Sequence, residues 1–413
     1  MKLNLSFTGK FRTNFIKISG SKSESNRLLI LRALNPNLYI HNLSDSDDTQ
    51  LLQKALENNQ NIIDIHHAGT AMRFLTAYFA TQQGHSVSLT GSTRMKERPI
   101  AILVEALQQL GADIQYLEKT GYPPLKINGK KLTKNKISIP ANVSSQYISA
   151  LMLIGATLPS GIEITLKGSI TSRPYIQMSL ALLQKTGIEA TFTENNIVIK
   201  PSLQTTKRIS LTVESDWSSA SYYYSIVALS EIGTKLTLSS FIENSLQGDK
   251  VVAEIYKDLG VQTTFNSDES ITLEKISTHQ TVHLEKNLVE SPDIAQTIAV
   301  TCFGLGIGCT LTGLHTLKIK ETDRLLALKT ELEKLGGKVE ITDDALTLEK
   351  HSISLKNQET KSIATYQDHR MAMAFAPLAT KTDIRIENAE VVSKSYPNFW
   401  EDLKSIGFQI NEI

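Results

Sequence analysis

Lys320-Glu321-Thr322-Asp323-Arg324 stands at the head of an apolar-periodic run, Leu325 to Leu335. Read as helix, the segment puts Lys320 and Arg324 on one face at i, i+4 and makes Glu321 a neighbour of Arg324 at i, i+3. Cations that can grip an anion, beside a carboxyl that can carry a proton, suit reactions of charged substrates. The bland reading is a surface ion-pair network, which is worth little. Six more short polar segments invite the same comparison: Ser21 to Arg27, Ala68 to Arg73, Arg94 to Pro99, Ser144-Ser145-Gln146, Asp368-His369-Arg370 and Lys394-Ser395-Tyr396-Pro397.

Several of these open helices. Ser21-Lys22-Ser23-Glu24-Ser25-Asn26-Arg27 precedes Leu28 to Leu34, so its hydroxyls and cations fall in a first turn, where free N–H groups and the dipole attract anions. A capping Ser with solvated Lys and Arg is an equally good account of that segment alone. Gly69-Thr70 opens Ala71 to Ala80, and Gly lets a ligand approach the backbone closely. Arg94, Lys96 and Arg98 surround Glu97 just before Pro99, which suits the first turn of the following helix; an exposed charged loop is the plain alternative. Ser144-Ser145-Gln146 offers hydroxyl and amide donors ahead of Tyr147 to Ile154, though such clusters are usually caps.

Asp293 follows Pro292 at the edge of a nearly uncharged stretch, where burial would raise its pKa towards the range of a general base, and it could equally cap the helix through Val300. Asp368-His369-Arg370 leads into Met371 to Ala376, whose small apolar residues read as a buried helix. An Arg held there without an anion is costly, which favours a functional reading.

With 413 residues the chain exceeds what one hydrophobic core supports, so two domains are expected. Net charge is only +1, from 43 Lys plus Arg against 42 Asp plus Glu, which argues against bulk electrostatic binding of nucleic acid and leaves anion binding to local clusters. Cys302 and Cys309 form neither a disulfide framework nor a metal-ligand array, consistent with a reducing cytosol, and no metal is indicated. The residues from Met1 to Arg12 contain no unbroken apolar signal core, so secretion is not expected. Ile294 to Leu317 carries no formal charge, but four Gly, five Thr, Gln296 and His315 make it a buried helix, a Gly304 to Gly308 turn and a strand rather than a membrane span.

The elements that must position these residues repeat. Helical apolar periodicity, then Gly, then a β-rich run recurs with glycines at 111, 187, 260, 336 and 407, spaced by 76, 73, 76 and 71 residues. An earlier copy, Leu51 to Ile65, lacks the Gly. At usual element lengths each repeat holds about two helices and four strands, which gives six α/β units. Helix-Gly-strand junctions occur in any α/β protein, but the even spacing over five copies favours a true repeat.

In order, Leu89-Thr90-Gly91 with Arg94-Met95-Lys96-Glu97-Arg98-Pro99, Lys320-Glu321-Thr322-Asp323-Arg324 and Asp368-His369-Arg370-Met371-Ala372-Met373 make a highly specific set. Through them the chain, from Lys22 to Pro397, resembles the 5-enolpyruvylshikimate-3-phosphate synthase family of enolpyruvyl transferases. The resemblance implies an α/β fold of two lobes, each of three βαβαββ units, forming an inside-out α/β barrel. One lobe would take residues 1–17 plus 214–413 and the other 18–213, with the active site in the cleft between them and closure on ligand binding. It implies transfer of the enolpyruvyl group of phosphoenolpyruvate to the 5-hydroxyl of shikimate 3-phosphate by addition and elimination, as a step of chorismate and aromatic amino acid biosynthesis. The enzyme would be a cytoplasmic monomer with two small-molecule substrates, no cofactor, no nucleic acid and no membrane.

By the family pattern Asp293 is the base and Glu321 protonates the methylene, with Lys22 sharing proton traffic. Lys22, Ser23, Arg27, Ser144, Ser145, Gln146, Ser172, Asp293 and Lys320 match positions that hold shikimate 3-phosphate. Lys22, Gly69, Arg94, Gln146, Arg324, Arg370 and Lys394 match those that hold phosphoenolpyruvate. His67 in place of Asn, Phe74 in place of Pro, and Thr316 in place of Asn depart from the pattern. The sister transferase acting on UDP-N-acetylglucosamine typically uses a loop Cys, and the Arg94 to Pro99 region has none. A nucleic-acid end-processing protein on similar repeats, such as an RNA 3'-phosphate cyclase, fits poorly with near-neutral charge and the lack of a P-loop.

Overall fold

The computed structural model describes residues 1–57, 60–142, 144–202, 207–352 and 359–413. The chain forms two compact units, Gly20–Val213 and, discontinuous in sequence, Met1–Ser19 with Glu214–Ile413.

One arrangement of strands recurs in both. In the Gly20–Val213 unit, Ile62–Asp64 runs parallel to Ser86–Thr90, which pairs antiparallel with Leu125–Asn128, itself antiparallel to Asp113–Tyr116. A parallel pair cannot be joined by a tight turn, so a helix crosses between its strands, and a second helix leads into the closing hairpin. The same parallel, antiparallel, antiparallel order links Lys136–Pro140, Ile162–Lys167, Asn196–Ile199 and Ala190–Thr193. In the other unit it links Phe15–Ile16, Lys235–Leu238, Ile271–Lys275 and Val261–Phe265, and again His283–Asn287, Gly308–Thr312, Leu346–Leu348 and Val339–Ile341. In the fifth sheet Lys361–Ile363 and Ile384–Glu387 are parallel, and Lys2–Phe7, from the far end of the chain, inserts between Ile384–Glu387 and Phe408–Glu412.

Four of the repeat glycines end the helix ahead of a sheet's last strands, and Gly260 follows the turn after helix Val252–Ile255, with φ of +104°, +82°, +82°, +97° and +116° at 111, 187, 260, 336 and 407. That left-handed conformation penalises a Cβ, so the junction selects Gly and writes the repeat into the sequence. The expected sixth four-stranded unit differs: among the described residues it is a two-stranded parallel sheet of Leu38–His41 and Ile209–Thr212. Apart from Leu38 neither strand buries a residue, so there is little apolar face to recruit further strands. In the earlier copy, helix Asp47–Glu57 leads to strand Ile62–Asp64, and residues 58–59 at the junction lie outside the described residues.

Each unit is built around helices that are apolar on all sides and therefore internal. Trp217–Leu229 is buried at every residue but Ser218, and Ala295–Leu305 is buried from Ala295 to Phe303. The latter helix, Gly306 at φ +74° and strand Gly308–Thr312 account for most of the uncharged stretch, and no described helix is long and apolar enough to cross a membrane. In the other unit Gly69–Thr81 and Ser145–Gly155 take the internal places. Each fully buried Leu or Ile on such a helix contributes about 1.5–3 kcal/mol, enough to fix where its first turn points.

Candidate active site

Four helices of the Gly20–Val213 unit begin side by side. Arg27, in the second turn of Lys22–Leu34, donates to Ser149 Oγ in Ser145–Gly155 at 2.9 Å and to Ser179 Oγ at 2.7 Å and the Tyr175 carbonyl at 3.2 Å in Arg173–Lys185. Gln146 Nε2 donates to Thr70 Oγ1 at 3.1 Å, tying the start of Gly69–Thr81 to the same group. Lys22, Ser23, Gly69, Ser144, Ser145, Gln146 and Ser172 therefore share one end of the unit, where four N-terminal dipoles add. The caps are neutral: Ser21, Ala68, Ser144 and Ser172. Nothing anionic in the caps themselves offsets those dipoles, so the end is suited to an external anion.

Ser172 adopts φ +53°, a left-handed conformation that costs a non-Gly residue about 1–3 kcal/mol and is characteristic of functional positions. Arg27 is buried, and its four hydrogen bonds among the described residues, the fourth to the Ser23 carbonyl at 2.7 Å, leave one of a guanidinium's five N–H groups for a ligand. Its guanidinium lies 5.5 Å from the centre of the Phe74 ring, and burial lowers its pKa to about 10. Phe74 thus packs under Arg27, inside the helix bundle.

Arg94 is placed differently from expectation. Ser92 accepts from Met95 N and starts a separate short helix, Thr93–Lys96, while the next helix begins at Ala101, beyond Pro99. Arg94 is 49% exposed and pairs with Glu97 at 2.9 Å. The better-buried arginines of the segment were not among the candidates. Arg73 reaches the carbonyls of Gly69 at 3.2 Å and Pro99 at 3.0 Å, and a Cβ on Gly69 would lie 3.0 Å from Arg98 Cζ. A Cβ at Gly69 would press on the Arg98 guanidinium, which would have to shift to admit it.

In the other unit four more helix starts meet, and here the charges are their own. Asp216, Asp323 and Asp368 cap Trp217–Leu229, Arg324–Lys334 and His369–Phe375. Asp293 lies in the 3-10 turn Pro292–Ile294, and the helix after it is capped by Ile294, so the cap reading of Asp293 does not hold. Its carboxylate is committed to cations: Oδ1 to Arg324 Nη1 at 3.0 Å and Lys320 Nζ at 3.4 Å, Oδ2 to Arg370 Nη2 at 3.2 Å. Glu321 bridges Arg324 Nη2 at 2.9 Å and Lys394 Nζ. Asp368, fully buried, takes Arg324 Nε at 2.7 Å and Nη2 at 3.3 Å.

The expected i, i+4 face of Lys320 and Arg324 does not form. Asp323 accepts from Leu325 N and Leu326 N, both at 3.1 Å, and so starts the helix at Arg324, leaving Lys320 outside it to reach Asp293. The i, i+3 pair of Glu321 and Arg324 does form. Burial would lower the pKa of Arg324, but Asp368, Glu321 and Asp293 outweigh it and hold the guanidinium above an ordinary arginine. For Lys320 burial wins over Asp293 and its pKa falls. Lys320, Arg324, Arg370 and Lys394 against Asp293, Glu321 and Asp368 leave one positive charge in excess.

The segment before Asp368 is braced as well. Tyr366 and Gln367 have φ of +54° and +58°, and Tyr366 Oη donates to Glu331 Oε1 at 2.7 Å, two turns along the helix that Arg324 begins. Tyr366 and Glu331 belong to none of the motifs, because their role is to brace the segment that leads to Asp368 and Arg370.

Repeated α/β units that aim eight helix starts at anion-handling groups, one set neutral-capped and the other rich in carboxylate–guanidinium pairs, define an enzyme for multiply charged substrates with proton transfer beside them. A family model described as EPSP synthase (3-phosphoshikimate 1-carboxyvinyltransferase) matches residues 52–403. A 3-phosphoshikimate 1-carboxyvinyltransferase of Bacteroides fragilis is 47% identical over 399 residues, 96% of this chain and 95% of that protein. One from Haemophilus influenzae is 33% identical over 430 residues, covering 95% and 96%. Among solved structures, EPSP synthase from Acinetobacter baumannii superposes with a TM-score of 0.78 at 19% identity over 100% of both chains. The enolpyruvyl transferase NikO from Streptomyces tendae gives 0.75 at 14% identity over 99% and 98%. These last two speak to the fold. The chain belongs to the EPSP synthase family.

Proposed function

We propose that this chain transfers the enolpyruvyl group of phosphoenolpyruvate to the 5-hydroxyl of shikimate 3-phosphate, releasing phosphate. The observation that carries the reading in this chain is Asp293, a carboxylate held by Arg324, Arg370 and Lys320 beside Glu321 and Lys394. Asp293 takes the proton of the 5-hydroxyl as its oxygen attacks C2 of phosphoenolpyruvate. Glu321, paired with Lys394, delivers a proton to C3, giving a tetrahedral ketal. Elimination reverses the proton flow: C3 loses a proton, the bond from C2 to the phosphate oxygen breaks, and the enol ether forms.

Arg324, Arg370 and Lys394 grip phosphoenolpyruvate, together with Lys22, Gly69, Gln146 and Arg94. Arg94 exchanges Glu97 for the ligand at little cost, since an exposed pair is worth about 0–1 kcal/mol. The neutral-capped helix starts with Lys22, Ser23, Arg27, Ser144, Ser145, Gln146 and Ser172 hold shikimate 3-phosphate, joined by Lys320 and Asp293. Lys22 serves both substrates and takes part in proton transfer. The enzyme needs no cofactor and acts as a cytosolic monomer on the two small molecules.

Purified protein given both substrates is expected to release phosphate, and to release none when UDP-N-acetylglucosamine replaces shikimate 3-phosphate. The opposite pattern would move the protein to the sister transferases. In the same assay Gly69→Ala forces the Arg98 guanidinium off the first turn of its helix. The expected result is a KM for phosphoenolpyruvate about tenfold higher, the cost of one disturbed charge-assisted bond, with an unchanged circular dichroism spectrum. An unaltered KM would show that Arg98 yields freely.

A further inference from the structure

Asp249 belongs to none of the motifs. It sits in the 3-10 turn Gly248–Val251 and is 2% exposed; its Oδ2 accepts from Ser218 Oγ, and its Oδ1 has no hydrogen-bond partner among the described residues. Ser218 Oγ in turn accepts from Arg370 Nη2 at 3.3 Å. Arg370 holds Asp293 twice, through Nη2 on Oδ2 at 3.2 Å and Nη1 on the backbone carbonyl at 3.0 Å. Four residues from four segments thus form one polar chain ending on the carboxylate assigned as base.

We propose that Asp249 is a positioning residue of the active site, which acts through Ser218 Oγ to orient the Arg370 guanidinium and with it Asp293. The inference rests on the reading of Arg370 as a phosphoenolpyruvate ligand. A hydroxyl donates one hydrogen bond. While Asp249 takes the Ser218 proton, the lone pairs of Oγ face Arg370; without Asp249 the hydroxyl is free to turn its proton elsewhere, and the guanidinium loses its third anchor. The charged groups that act on Asp249 are Asp293 and Asp216, which add to burial in raising its pKa, and Arg370, which with the Ser218 hydrogen bond opposes them; the result is about 6. A turn needing only a cap has no use for a buried carboxyl with one oxygen unengaged, since such burial is costly.

The test compares Ser218→Ala, Asp249→Ala, the double variant and Asp249→Asn in steady-state kinetics and pH profiles. Ser218→Ala and Asp249→Ala each raise KM for phosphoenolpyruvate about tenfold, with KM for shikimate 3-phosphate nearly unchanged. The double variant is no worse than either single one, because both cut the same chain. Asp249→Asn still accepts from Ser218 and restores KM, but it removes a negative charge beside Asp293. The acid limb of kcat/KM therefore moves to lower pH. Additive losses, or unaltered KM in both alanine variants, overturn the proposal. A readout free of turnover is the Arg370 Nε–H resonance, assigned by its loss in Arg370→Lys. It shifts in Ser218→Ala and Asp249→Ala but not in Asp249→Asn, and its constancy across the series also overturns the proposal. Wild-type protein inert towards both substrates, with that resonance responding as described, would reject the proposed function and leave the positioning chain standing.

Discussion

Asp293→Asn is expected to lower kcat about a thousandfold, near the middle of what a positioned general base contributes. KM for phosphoenolpyruvate should stay level or fall. The amide keeps a hydrogen-bond acceptor for Arg324 or Arg370, while loss of the carboxylate leaves the four cations with one negative charge fewer among them, a more positive surround for an anion. Arg324 retains both other carboxylates, and Arg370 retains the Asp293 carbonyl and Ser218, so the fold survives with a loss of about 1–3 kcal/mol. Phosphate release over a range of both substrates separates the two constants. A kcat within fivefold of wild type would remove Asp293 from the role of base, and a large rise in KM with kcat intact would recast it as a ligand only.

How far the sequence reveals this site depends on the range of the forces involved. Helix starts are local: Ser144, Asp323 and Asp368 each satisfy N–H groups two or three residues ahead, and the five glycines answer a constraint on their own φ. Both signals are visible in one dimension, so the repeat and most of the site segments can be read directly. Even so, choosing which residue caps a helix is a contest among near neighbours, and Asp323 and Ser92 win where Lys320 and Pro99 were expected to be inside a first turn.

Long-range partners leave no such trace. The polar chain from Asp249 to Asp293 joins residues 44 apart in sequence, and Ser218 is 152 residues from Arg370. Lys2–Phe7 completes a sheet whose other strands begin at Lys361. Its alternating pattern announces a strand but does not name its neighbours, Ile384–Glu387 on one side and Phe408–Glu412 on the other. The family resemblance supplies roles for Lys22, Asp293 and Glu321, yet passes over Asp249 and Tyr366, whose work is done on other side chains.

Asp368→Ala should have the largest effect on stability. Arg324 is 2% exposed and loses its hydrogen bonds from Nε and Nη2 to one carboxylate, so a buried cation is left short of charge at a cost of about 3–5 kcal/mol. The same carboxylate caps His369–Phe375 through Arg370 N at 2.9 Å, so the start of the helix that carries Arg370 frays as well. For a unit of this size the thermal midpoint is expected to fall by about 10 °C or more. Asp368→Asn, which can keep the cap and one acceptor, should fall between the two.

The deficit should persist across the neutral range. Arg324 has a pKa raised above its unfolded value, so its contribution is complete below the unfolded pKa and is lost only as pH rises through the still higher folded one, far into alkali. Asp249, raised to about 6, obeys the same sign but in a window close to neutrality. Its folded pKa lies above the unfolded value, so the stability contributed by its protonated form is present at low pH and lost as pH climbs towards 6 and beyond. Calorimetry of Asp368→Ala between pH 5 and 9 should therefore show a nearly constant deficit, where Asp249→Asn shows one that changes with pH. A midpoint within 2 °C of wild type would mean that Glu321 and Asp293 compensate Arg324 unaided, and that Asp368 serves the helix start alone.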